Sequence, residues 1–553
     1  MKVIIIGGVA GGATAAARIR RLDEQAEIVI YERSGFVSYA NCGLPYYIGD
    51  VITQEEALSL QSPEGFFRRF RVDVRLQHEV TEILPASKKI KVKKLVSGEI
   101  FEDSYDKLIL SPGAKPIQPE VQGLESEGVF TLRTVEDSLR IKKYIREHKP
   151  NSLVLSGGGF IGLELAENLR ELGLEVSIVQ RPRQLMKYFD PDMAAFIHKQ
   201  LREKGINLIL GHSVLGFEKK ADGIDVLIKD AAALHADMAV LAVGVNPDTE
   251  LAKAAGLELG IKGSIVVNDR METSAPDIYA VGDAVQIKHY VSGQDALVSL
   301  AGPANKQARI AADNICGRSS RYKGALGSNV TKLFDMTVAS TGLSETAAKA
   351  AGFDTDKVIL SPLNHAGYYP GAREMTMKLV YEKGSFRLLG AQIIGYEGVD
   401  KRIDVLAAAI YSGLEIDELR ELDLAYAPPY GSAKDAVNMA GYIADNIRQG
   451  LIKQKHFEEI KPYAENATLL DVRTAREYSA GHFEGFINIP IDELRERIAE
   501  LDSAKPIYTI CHSGVRSHSA SRILSNLGFD VYNIPGGYRF HSVVMQEKKL
   551  SGM

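Results

Sequence analysis

A short apolar strand, a glycine-rich turn and a helix occur twice in this 553-residue chain, and the repetition constrains the fold more than any other feature. In the first copy Val3-Ile4-Ile5-Ile6 reads as a buried parallel strand. The turn Gly7-Gly8-Val9-Ala10-Gly11-Gly12 follows, then a predicted helix from Ala13 to Arg21 and a second strand from Ile28 to Tyr31, ending at Glu32. The acidic residue stands about 20 positions past the glycines, where a dinucleotide-binding βαβ unit holds a ribose hydroxyl. The glycines let the backbone approach a pyrophosphate at the helix N-terminus. The pattern departs from GxGxxG only at Val9.

The second copy spans Ser152 to Gln180. Leu153 to Leu155 is its strand, Gly157-Gly158-Gly159-Phe160-Ile161-Gly162 is a full GxGxxG, a helix runs toward Leu172, and Glu175 to Val179 is the next strand. Gln180 replaces the carboxylate, and Arg181 and Arg183 follow. Those arginines suit a 2′-phosphate, which favours NADPH or use of both nicotinamides. The competing reading makes them solvated loop charges. Two dinucleotide units imply two nucleotides, and so an electron relay.

With 45% hydrophobic and 25% charged residues the chain has the composition of a soluble globular protein. Its length suggests three or four domains. A net charge of −5 leaves no footprint for nucleic acid. Three cysteines (Cys42, Cys316, Cys511) are too few for a disulfide framework and fit a reducing compartment. The chain starts on a strand with no signal-peptide pattern, and no apolar run reaches membrane-spanning length. A cytoplasmic protein is expected, so the glycosylation sequon at Asn466 is discounted.

Chemistry is expected at Ser38-Tyr39-Ala40-Asn41-Cys42-Gly43-Leu44-Pro45-Tyr46-Tyr47. Cys42 has no CxxC partner. Oxidised, it becomes a sulfenic acid, a persulfide, or a mixed disulfide with an incoming thiol. Most cysteines are small buried hydrophobes, but the flanking Gly and Pro put this one on a turn. Further on, Leu108 to Ala114 and Leu241 to Pro247 each read as a strand ending in a turn, and Thr273-Ser274-Ala275-Pro276-Asp277-Ile278-Tyr279-Ala280-Val281-Gly282-Asp283 follows.

Taken in order, these elements resemble the flavoprotein disulfide reductases with two dinucleotide domains. The resemblance implies an α/β protein: two Rossmann-like dinucleotide-binding domains, an α+β dimerisation domain and a C-terminal α/β rhodanese domain. The expected boundaries are 1–115 with 248–325 for the FAD domain, 116–247 for the NAD(P)H domain and 326–445 for the interface domain. A polar linker is expected over 446–460 and the rhodanese domain over 461–553. For FAD the resemblance points to Gly7, Gly8, Ala10, Gly11, Gly12, Glu32, Arg33, Ser111, Gly113, Gly282 and Asp283, with Asp283 on the ribityl chain. For the nicotinamide nucleotide it points to Gly157, Gly159, Phe160, Ile161, Gly162, Gln180, Arg181 and Gly244. No metal is expected.

The C-terminal stretch carries Asp471-Val472-Arg473, a GHxxGxxNIP run from Gly481 to Pro490, and Cys511-His512-Ser513-Gly514-Val515-Arg516-Ser517. These resemble a single rhodanese domain whose loop from Cys511 to Arg516 suits a sulfane-sulfur acceptor. Successive N–H groups of such a loop form an anion nest.

Single-cysteine members of the class divide between NADH oxidases or peroxidases and coenzyme A disulfide reductases. In the first group a histidine stands where this chain has Ala10. The S-x-x-N-C sequence at Ser38, Asn41 and Cys42 is similar to the second group, as are Tyr368 and Tyr426. By resemblance these tyrosines reach the partner subunit's Cys42 in a homodimer with shared active sites. Thr14, Arg18 and Arg21 fall on one helix face, suited either to the phosphates of CoA or to solvent. Arg71, Asn305 and Lys434 fall at matching CoA positions, with Arg71 in place of a lysine.

The expected activity is reduction by NAD(P)H of a CoA-linked disulfide or persulfide at Cys42. Ser38 and Asn41 would orient the sulfur, the tyrosines would protonate the leaving group, and Cys511 with Arg516 would handle sulfane sulfur. Competing readings are a sulfurtransferase with an auxiliary flavin module, an NADH oxidase or peroxidase, and a redox-sensing module that binds FAD and CoA without turnover.

Overall fold

The computed structural model describes residues 1–460 and 466–551, in two compact units. The expected start of the last domain at residue 461 lies outside the described residues.

The first unit comprises Met1–Pro182 and Gly205–Gly327. Its first sheet is parallel throughout, in the order Ile278–Ala280, Lys107–Leu110, Lys2–Ile6, Glu27–Glu32, Val72–Leu76. The strand Lys2–Ile6 has neighbours on both sides; Val3 and Ile5 pack under helices Ala10–Leu22 and Ala301–Ile315, and Ile4 and Ile6 against the strands His78–Leu84 and Lys89–Lys94, so neither face is wet. That is why Val3 to Ile6 is a continuous apolar run rather than an alternating one. The second sheet repeats the plan in the order Asn207–Leu210, Glu175–Gln180, Ser152–Ser156, Met238–Leu241, Val129–Thr131.

The first helix runs Ala10–Leu22, beginning before the expected Ala13. Glycine's poor helix propensity hides those residues in the sequence. The packing explains them: a Cβ on Gly12 would stand 1.9 Å from the carbonyl oxygen of Gly7. Only a glycine lets the helix start this close to the strand end.

The second unit comprises Arg183–Lys204 and Ser328–Met553. An antiparallel sheet in the order Asn329–Leu333, Met336–Gly342, Leu388–Gly395, Thr376–Glu382, Thr355–Leu360 forms its middle. A second, parallel sheet lies beyond it, in the order Lys453–Gln454, Val531–Asn533, Ile507–Ile510, Thr468–Asp471, Ile487–Asn488.

The stretch 446–460, expected as a linker, carries structure instead. Helix Ala436–Arg448 ends in it, Lys453–Gln454 is the edge strand of the C-terminal sheet, and Phe457–Glu459 is a 3-10 turn. Its polar side chains are anchors. His456 pairs with Asp356 at 2.7 Å, and Glu458 reaches the buried Lys357 at 2.8 Å. Lys357 also pairs with Glu345 at 3.0 Å, and Glu345 with the fully buried Lys378 at 2.8 Å. Arg539 of the C-terminal domain lies 2.8 Å from Glu374 beside the antiparallel sheet. The last helix, Gly537–Ser551, packs on helix Pro191–Glu203, where buried Glu547 accepts from His198 at 3.0 Å and from Arg202.

Candidate active sites

The first glycine turn and the Cys42 stretch are built as one piece. The Ser38 N–H donates to the Gly8 carbonyl at 2.8 Å, and the Ser38 carbonyl accepts from Leu60 at 2.9 Å. Ser38 is held at φ +49°, a left-handed conformation that a non-glycine residue adopts only when its surroundings impose it. Cys42 follows in the 3-10 turn Asn41–Gly43, and helix Leu44–Ile48 starts directly after with Pro45 in its first turn. That helix is fixed from behind. Lys142 donates to the Tyr47 carbonyl at 2.6 Å and lies 3.8 Å from the Tyr47 ring centre.

Cys42 itself is exposed, and none of the three cysteines is in a disulfide. Its thiol is nonetheless pushed above the ordinary cysteine value. The surrounding protein contributes most, Glu164 adds, Arg133 opposes and Asp283 adds. Asn41 does not face solvent alone: with its amide oriented to satisfy both atoms, its nitrogen donates to the Arg133 carbonyl at 2.9 Å and its oxygen accepts from Arg133 Nη1 at 3.1 Å. Arg133 Nη2 also holds Asp283 at 2.7 Å. Arg133 therefore ties the cysteine turn to the end of the TxxPxIYAxGD stretch. Sequence reasoning missed it, because its partners are distant in the chain and no local pattern marks it.

The dinucleotide cradles fit their expected ligands. Glu32 accepts from the N–H of Gly8 at 2.8 Å and of Ser34 at 2.9 Å, leaving lone pairs for a ribose hydroxyl. Burial raises its pKa, against those two bonds. Gly7 and Gly11 face Ser111, Ala10 opens the helix, and the Gly282 N–H donates to Gln307 at 2.7 Å. Gly113 lies next to Arg133. Arg33 is paired with Asp248 at 2.9 Å. In the second copy Gln180 repeats the role of Glu32, accepting from the Gly158 N–H at 2.9 Å. Phe160 and Ile161 open the helix, Gly162 packs on Gly157, Gly159 borders open space, and Arg181 and Gly244 are exposed.

Among the residues expected at CoA, Thr14 donates to Asn305 at 2.8 Å. Arg18 does not stand free on its face: it is paired with Asp313 at 2.7 Å. Arg21 and Arg71 are exposed, stacked over Phe70 and Phe67 of helix Pro63–Phe70. Arg309 is exposed one turn beyond Asn305 on helix Ala301–Ile315.

In the second unit Tyr368 and Tyr426 share a hydrogen bond of 2.7 Å between their hydroxyls. Both rings are exposed, at 76% and 45%. Their loops are stitched together underneath. The Ala366 N–H donates to Gly431 at 2.9 Å, and buried Arg402 bonds both the Asn364 carbonyl and Asp435 at 2.8 Å. The bond to Tyr368 raises the Tyr426 pKa, which keeps a proton available on the phenol. Lys434 is exposed nearby in sequence.

Cys511 is buried at the end of strand Ile507–Ile510, and its sulfur accepts from the Gly514 N–H at 3.1 Å. Helix Val515–Asn526 starts earlier than a six-residue loop implies, so Arg516 stands in its first turn. The N–H groups of Tyr538 and Arg539 donate to the carbonyls of Cys511 and His512 at 2.7 and 3.1 Å. Gly537 makes this closure: its φ is +68° and a Cβ would stand 2.5 Å from the His512 oxygen.

Residues 1–308 match the family described as pyridine nucleotide-disulphide oxidoreductase, residues 329–437 its dimerisation domain and residues 455–539 the rhodanese-like domain. The chain belongs to the pyridine nucleotide-disulphide oxidoreductase family. Within it, the chain is 38% identical over 444 residues to a coenzyme A disulfide reductase of Staphylococcus aureus, covering 80% of this chain and 99% of that one. The structure of reduced Bacillus anthracis CoADR-RHD is 45% identical, with a TM-score of 0.97 over 99% of this chain and 98% of that one. A NAD-dependent persulfide reductase from A. fulgidus is 39% identical, with a TM-score of 0.92 over 98% and 100%. Among the described residues no helix is long and apolar enough to cross a membrane.

Proposed function

We propose that this chain is a homodimeric flavoenzyme that uses NAD(P)H to cleave sulfur–sulfur bonds to coenzyme A at Cys42. The observation that carries the reading is one exposed, unpaired cysteine built onto the first dinucleotide turn through Ser38. The likeness to coenzyme A disulfide and persulfide reductases supplies the substrate class.

Bound flavin and nicotinamide supply the two reducing electrons. The Cys42 thiolate attacks the substrate sulfur, since the thiolate is the nucleophile. Asn41, locked by Arg133, fixes the turn that presents it, and Ser38 fixes the turn's start. The Tyr368–Tyr426 pair, supplied by the partner subunit, protonates the leaving group. Thr14, Asn305, Arg21 and Arg71, with Lys434, hold the nucleotide end of CoA; Arg18 acts through Asp313 rather than by direct contact. Cys511 carries sulfane sulfur to CoA, which favours CoA persulfide as substrate.

Anaerobic oxidation of NADPH and NADH, measured side by side with CoA persulfide, CoA disulfide and hydrogen peroxide, tests the proposal. Fast turnover with CoA persulfide and release of hydrosulfide is the expected result. Preference for peroxide would overturn it.

A further inference from the structure

The arginines around Cys511 are each paired with a carboxylate. Both terminal nitrogens of Arg516 meet the two carboxylate oxygens of Glu477, at 2.7 and 2.6 Å, fork on fork. Glu477 is itself fixed by Thr474, whose N–H and hydroxyl donate to it at 3.0 and 2.8 Å. The Arg516 bond, the largest influence, holds the Glu477 carboxyl down to about 2. Arg473, over the Tyr538 ring that abuts the loop, is bound by buried Asp471 at 2.6 Å. Arg539, bonded to the His512 carbonyl, is paired with Glu374 at 2.8 Å. A cleft of about 340 Å³ beside the loop, lined in part by His512, Tyr538 and Arg539, repeats the balance, with Lys199 paired to Glu203 at 2.9 Å. At the loop's rim the apolar Val515 is exposed at 63%, and the His512 ring lies 3.6 Å from Glu374.

We propose that Glu477, with Glu374 as a second contributor, sets the donor specificity of Cys511: the loop takes sulfane sulfur from a persulfide on a low-molecular-weight thiol and discriminates against thiosulfate. The inference rests on the reading of Cys511 as a sulfane-sulfur acceptor. Thiosulfate is a dianion whose charge sits beside the transferred sulfur. Bringing it to the loop strips water from both charges, and the neighbouring cations are already matched. An alkyl persulfide brings one charge, on the outer sulfur, to the Gly514 N–H and helix N-terminus, and lays its apolar stem by Val515.

The chemistry balances in both cases. The Cys511 thiolate attacks the outer sulfur, a Cys511 S–S bond forms, the donor's S–S bond breaks, and the thiolate or sulfite leaves with the electron pair. Cyanide then takes the outer sulfur as thiocyanate and returns the Cys511 thiolate.

The test is thiocyanate release by the full-length holoenzyme without nicotinamide, with thiosulfate or pantetheine persulfide as donor and the Cys511→Ser rate subtracted. Wild type is expected to favour the persulfide in kcat/KM by about tenfold or more. Glu477→Gln, which keeps a side chain able to cap its helix, and Glu374→Gln are each expected to shift the ratio toward thiosulfate by about fivefold or more. Thiosulfate turnover by Glu477→Gln should also fall with added KCl more steeply than wild type, as attraction to a freed Arg516 is screened. Equal use of both donors by wild type overturns the proposal. So does an unchanged ratio and salt dependence in folded Glu477→Gln. If that variant fails to fold, Glu374→Gln decides. Undiminished transfer by Cys511→Ser from both donors would instead overturn the role of Cys511 itself.

Discussion

At the residue scale the chemistry rests on Cys42 and what surrounds it. Replacing it with Ser removes the nucleophile while leaving both cradles intact, so reductive turnover should fall by about 10³-fold or more with flavin retained. Stopped-flow reduction and turnover on one preparation check this. The surroundings push the thiol pKa up, first because the protein around the exposed sulfur displaces part of its water and second through Glu164. A raised pKa means less thiolate at neutral pH. Alkylation of Cys42 in the flavin-free protein should therefore rise with pH through a midpoint above about 8.5, and Glu164→Gln should lower that midpoint. A midpoint below the ordinary cysteine value would contradict the electrostatics. The sequence disclosed Cys42, Ser38, Asn41 and the glycines because each belongs to a contiguous pattern. Arg133, Gln307 and the pairing of Glu477 with Arg516 were not legible, because their partners are distant in the chain; only the capping of Glu477 on Thr474 leaves a local trace.

At the element scale, the two βαβ units were readable because strand, turn and helix are consecutive and their periods differ. The helix start at Ala10 was not, because glycines chosen for close approach look like breakers. The stretch 446–460 misled for a related reason: its charges resemble a solvated linker, yet they are spent on Asp356 and Lys357. This anchoring has a pH signature. Burial works against ionisation of Glu458, but Lys357 more than offsets it and holds the carboxyl down to about 2. A depressed carboxylate contributes stability above its unfolded pKa, near 4.3, and loses it as pH falls toward 2. The difference in melting temperature between wild type and Glu458→Gln should thus be present above about pH 4.3 and close as pH approaches 2. A difference that grows in acid would reverse the assignment. Because Glu458 is half exposed, the effect should be small, about 1 kcal/mol or less.

At the scale of the whole molecule, the exposed Tyr368–Tyr426 pair and the exposed Cys42 are incomplete on one chain under the proposed function. Sharing across a dimer gives a quantitative expectation. Cys42→Ser and the double variant Tyr368→Phe, Tyr426→Phe should each be impaired as homodimers. Refolded together in equal amounts, half the dimers are hybrids, each with one site of two intact, so activity should recover to about a quarter of wild type. No recovery would place cysteine and tyrosines on the same chain. That Cys42 retains coenzyme A as a mixed disulfide, the other CoA leaving as its thiolate, is tested most directly by intact mass after anaerobic treatment of the thiol-reduced protein with CoA disulfide and denaturation without added thiols. One CoA per chain is expected in wild type and in Cys511→Ser, mapped to Cys42, and none in Cys42→Ser. A CoA adduct on Cys511 alone, or none on wild type, would contradict it.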